Sequence, residues 1–118
     1  MAAPAGTYNI VCDAGATLTR TLTWRDANDA LVSLVGYTGR MQVRADVEST
    51  STVLSLTTSN GGLTLGGAAG TILITVSSTE STTLTAGDYV YDLELVSGSG
   101  VVTRLVQGTF TVRAEVTR

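Results

Sequence analysis

The sequence contains no histidine, no lysine and a single cysteine, Cys12. The missing histidine removes the most common general base and any Ser-His-Asp arrangement. With one cysteine and no histidine, Cys/His zinc sites, Cys–His nucleophile pairs and an internal disulfide are excluded. Cys12 then reads as a small buried hydrophobe. Every basic residue is an arginine, and the formal charge is −3. A clustered basic face, which nucleic-acid binding requires, is not expected from that balance. The opening "MAAPAG" has neither a basic nor an apolar signal region, so a secretory leader is not expected and folding in a cytoplasm is. The most apolar window, "LTLGGAAGTILITV", is too short and too rich in Gly and Thr for a membrane helix. Repeats, low-complexity tracts and linkers are also missing, which leaves residues 1–118 as one domain.

Thr, Ser, Gly and Val are abundant, as expected of half-buried strands joined by tight turns. A chain of 118 residues buries roughly two-thirds of its unfolded surface, enough for one core without staples. The strands follow from period-two alternation. "TYNIVC" (7–12) reads as a first, edge strand. "TLTRTLTWRD" (17–26) places Leu18, Leu22 and Trp24 on one face. Arg20 falls on that same apolar face, so either a bulge re-aims it or its stem packs and its head finds a carboxylate. "RMQVRA" (40–45) points Met41 and Val43 inward and Arg40, Gln42 and Arg44 outward. "TVLSLTT" (52–58), a short "LTL" (63–65) and "TILITVS" (71–77) follow, with "GGAAG" as a flexible connection. Ser77 and Glu80 form a capping-box pattern, which predicts one short helical turn near 78–84 plugged by Leu84. "GDYVYDLELV" and "VVTRLVQGTFTVRAEV" (101–116) form a hairpin over "SGSG", with a bend or bulge near Gly108.

Seven to eight short strands at this spacing predict an all-β, immunoglobulin-like antiparallel sandwich. Tyr89, just after "LTAGD", fits the tyrosine corner of such domains, and Tyr91 stands where antibody domains place their second disulfide cysteine. Both are expected to be structural, on the apolar face of their strand. The other face of that strand carries Asp92 and Glu94. In this fold it lies beside "RMQVRA", so Arg40 and Arg44 are expected opposite the two acids. Two readings of that face remain open: a solvated, charge-matched surface, or a docking surface that exploits arginine's planar fork.

Candidate catalysis is thin. Asp92 with Glu94, and Asp26 with Asp29, are carboxylate pairs, but neither has the setting that two-carboxylate catalysis requires. "DANDA" (26–30) begins like a calcium loop but lacks its glycine and terminal glutamate, and reads as a turn. "GLTLGGAAG" lacks the Lys-Ser/Thr of a phosphate loop. No cofactor or metal is expected. Tyr8 and Tyr37 are the only aromatics that suggest an exposed carbohydrate platform.

Gly36 to Thr38, Arg40 to Arg44, Thr57 to Gly62, Gly70 to Ile74, Ala86 to Leu95 and Gly108 to Arg118, with the opening "NIVCDAGATLTRTLTW", resemble small proteins encoded among the virion structural genes of tailed bacteriophages. The likeness covers nearly the whole chain. It departs at Ser33 and Val35, where those proteins read an acid and a threonine. More distantly, the chain is similar to the N-terminal module of phage baseplate upper proteins, which anchors a receptor-binding device to the tail. The resemblance implies a virion protein made in the host cytoplasm, not an enzyme and not bound to membrane or nucleic acid. It would act as an adaptor or attachment module in the tail, baseplate or fibre region, present in multiple copies and bound to other virion proteins. The alternative is a capsid decoration protein on the head; a cell-surface or carbohydrate-binding module is a third. The candidate interface comprises Arg40, Gln42, Arg44, Asp92, Glu94, Arg113 and Arg118. Short arms are expected at 1–6 and 113–118.

Overall fold

A computed structural model describes residues 6–116. Its strands are β1 (Gly6–Thr7), β2 (Ile10–Asp13), β3 (Leu18–Thr23), β4 (Thr38–Arg44), β5 (Leu54–Thr57), β6 (Leu63–Leu65), β7 (Thr71–Val76), β8 (Gly87–Val96) and β9 (Val102–Arg113), with one short helix, α1 (Ser78–Thr82), before β8. They form a six-stranded sheet in the order β1-β9-β8-β4-β5, with β2 also on β9, and a three-stranded sheet in the order β3-β7-β6. This is the immunoglobulin-like sandwich, with the third, penultimate and last long strands together on one sheet.

Alternation builds the core. Along β7, Ile72, Ile74 and Val76 are fully buried while their neighbours are half-buried. Met41 and Val43 of β4, Leu93 and Leu95 of β8, and Phe110 of β9 belong to the same cluster. Burying side chains of this size stabilises the fold by about 1.5–3 kcal/mol each. Tyr91 meets Phe110 of the neighbouring strand edge to face at 6.5 Å. The capping box forms as expected: Glu80 N donates to Ser77 Oγ at 3.1 Å and Ser77 N donates to Glu80 Oε1 at 3.0 Å. Leu84 is buried just beyond α1. The tyrosine corner also forms, with Tyr89 Oη donating to Thr85 O at 2.6 Å.

Several expectations need correction. The first strand is split at Tyr8–Asn9, and both halves run parallel to β9, so the sandwich is not wholly antiparallel. The last strand ends at Arg113, which therefore belongs to β9 rather than to an arm; Gly6 likewise belongs to β1. Of the expected arms, 1–5 and 117–118 lie outside the described residues. The bulge is at Leu105, not Gly108: Leu93 opposes Val106 and Glu94 opposes Arg104, which leaves Leu105 unopposed. Gly108 serves close approach instead. A Cβ there would stand 2.6 Å from Tyr8 O and 2.7 Å from Asn9 Oδ1, so only glycine lets the split in the first strand lie against β9. The "GGAAG" connection contains a 3₁₀ turn at Gly67–Ala69. The β3–β7 ladder is unbroken through Arg20, so that residue is not re-aimed by a bulge. It is half-buried, and Nη1 donates to Thr19 O at 2.8 Å rather than to a carboxylate.

Candidate functional site

The outer face of the six-stranded sheet collects most of the candidate residues. β4 and β8 pair antiparallel, which sets Arg40 opposite Glu94, Gln42 opposite Asp92 and Arg44 opposite Val90. Because Met41, Val43, Tyr91, Leu93 and Leu95 turn inward, the residues between them turn outward. Arg40 Nε donates to Glu94 Oε1 at 2.8 Å.

The second expected pair does not form. Asp92 is matched by Arg104 of β9, with Nε at 3.4 Å from Oδ2. Arg44 instead donates from Nη1 to Ser49 O at 2.9 Å and from Nη2 to Gln42 Oε1 at 2.8 Å. The reason is register: Arg44 lies across from Val90, while the bulge at Leu105 turns Arg104 outward beside the acids. Arg104 and Gln107, whose side chains lie 3.4 Å apart, are site residues that the sequence reading did not include. No periodicity within β9 marks Arg104, because its outward turn depends on the bulge against β8.

Gln42, Arg44, Asp92, Glu94, Arg104 and Gln107 line an open groove of about 530 Å³ that crosses the sheet from Val47, in the loop after β4, to Thr7. The ion pairs beside it are half-exposed, and pairs of that kind contribute about 0.2–1 kcal/mol each.

Arg113 is on the same outer face but about 20 Å further along β9. Its Nε and Nη2 form a fork onto Asp13 Oδ1 and Oδ2, at 2.6 and 3.1 Å. That hydrogen-bonded contact holds the Asp13 carboxyl below its ordinary value. Arg118 lies outside the described residues.

The remaining candidates take structural positions. Asp26 Oδ1 accepts from Asn28 N at 2.8 Å and Ala30 N at 3.0 Å, which closes the 26–30 turn. Tyr37 packs edge to face on Trp24 at 6.1 Å, and both Tyr8 and Tyr37 are half-buried against the core. Cys12 is fully buried, and burial, with Asp13 adding to it, pushes its thiol pKa up. Among the described residues, no cluster of three or more acidic, Cys or His side chains could hold a metal. Every buried polar side-chain atom there has a hydrogen-bond partner, and no described helix is long and apolar enough to cross a membrane. No protein-family model matches this chain, and no curated protein matches it in sequence.

Proposed function

We propose that this chain is a non-enzymatic structural protein of a tailed-bacteriophage virion, an adaptor or attachment module in the tail, baseplate or fibre region. The observation that carries the reading is the outer face of the six-stranded sheet. Arg44, Arg104, Asp92 and Glu94 line an open groove there, with Arg40 paired to Glu94 beside it, yet exposed charge pairs do little for the stability of a fold. Arginine-rich faces with matched acids suit protein docking, where the planar fork gives geometric specificity. The resemblance of the chain to virion structural proteins supplies the setting, and copies on a symmetric particle would repeat the same contact.

Quantitative mass spectrometry of purified particles, with heads separated from tails, tests this. Enrichment with tails at a few to tens of copies is expected. Enrichment with heads in hundreds of copies would make it a decoration protein, and absence from both would refute the virion reading. Reversing Arg40 and Arg44 to Glu is expected to leave the circular dichroism spectrum unchanged and to weaken incorporation into particles. Unchanged incorporation would mark the face as merely solvated.

A further inference from the structure

Resting on the reading of this face as a docking surface, we propose that the groove receives an extended segment of a partner protein, with an Asp or Glu side chain seated on Arg44. The groove, about 530 Å³, falls inside the ~300–1,000 Å³ range of clefts that hold small ligands. Its walls run from the loop after β4, over β8 and β9, to β1. At the ordinary strand spacing that span is about 14 Å, the reach of about four extended residues.

The charges in the groove select the ligand. Asp92 is matched by Arg104, and Glu94 by Arg40. Arg44 has no carboxylate partner among the described residues. Its two hydrogen bonds go to neutral acceptors, Ser49 O and Gln42 Oε1. Those bonds hold the guanidinium in place, leave its charge uncompensated, and leave its remaining N–H donors open. A carboxylate would complete the fork without displacing an existing ion pair, and charge-assisted bonds of this kind are the strong ones. Val47, 85% exposed, and Val90 flank the site. They offer an apolar surface to the residue next to the acid, which favours an extended peptide over a free anion.

The test is a titration of the isotope-labelled full chain, followed by NMR, with two matched pools of end-blocked hexapeptides. One pool carries a central Asp or Glu between apolar residues; the other carries Asn or Gln there. Amide shifts are expected at Arg44, Val47, Val90 and Gln107, with the acidic pool at least about fivefold tighter. Arg44→Gln is expected to erase that difference while sparing the rest of the spectrum, and Arg44→Lys to keep part of it. Equal binding of the pools, shifts confined elsewhere, or no shifts would overturn the proposal. Tail enrichment without peptide selectivity would remove this inference alone. Selectivity in a protein absent from particles would remove the virion reading and leave the groove standing.

Discussion

Tyr89 and Tyr91, two positions apart on β8, spend their hydroxyls differently. Tyr89 bonds Thr85 O, four residues upstream, and fixes the local entry into the strand. Tyr91 donates to Tyr8 O and so ties β8 to the far side of the sheet, at the split in the first strand. Burial, with Tyr8 adding to it, keeps the Tyr91 phenol un-ionised well above the usual range. Tyr91→Phe retains the ring against Phe110 and removes only that tie. We expect a loss of about 1–2 kcal/mol in urea unfolding, with faster amide exchange concentrated in β1 and β2. Uniform acceleration across the sheet would show that the bond is not local in its effect. Both tyrosines were legible as structural because they fall on the apolar phase of a strand. Arg104 was not legible. Phe110 and Val112 are buried, and strict alternation back from them puts Arg104 inside; only the extra residue at Leu105 turns it outward. Register slips of this kind depend on the partner strand, which periodicity within one strand does not report.

At the scale of elements, β4, β7 and β8 could be read from alternation because each has one buried and one wetter face. The first strand could not be read in full. Its direction and its split depend on β9, about a hundred residues away in sequence. Arg20 shows a further element-level device. β3 is at the end of its sheet, with no described strand on its outer side, and Arg20 belongs to the inward-facing set of that strand. Its head turns onto the backbone of its own strand at Thr19 O. An inward-facing charge on an edge strand blunts pairing with another copy, because pairing would bury it. Arg20→Leu is therefore expected to change thermal stability by no more than about 1 kcal/mol in either direction. It should also raise self-association relative to the wild type, read by light scattering over a concentration series. Unaltered scattering would show that this edge is protected by something else.

Across the whole molecule, Asp13 and Arg113 join the first strand to the last where β9 ends. The carboxyl of Asp13 is held below its ordinary value of 3.8 by that contact. Between the folded and unfolded values the unfolded chain binds the proton more readily, so the contribution to stability is fully present above pH 3.8 and fades as pH falls through the folded value. Thermal unfolding from pH 6 down to about pH 2 should show a loss in the wild type that is smaller in Asp13→Asn. Identical profiles would place the acid sensitivity in other carboxylates.

The parallel pairing of the first strand with the last also bears on how the chain is made. Among the described residues, β1 and β2 take no strand partner but β9, which leaves a ribosome about a hundred residues after them. Until then Ile10 and Cys12, both buried in the finished fold, have no sheet to join, and closure waits on contacts of high sequence separation. The thiol of Cys12, shielded once folded, is open to oxidants only during that interval. Newly synthesised chains, rather than mature ones, are the population in which it would be damaged.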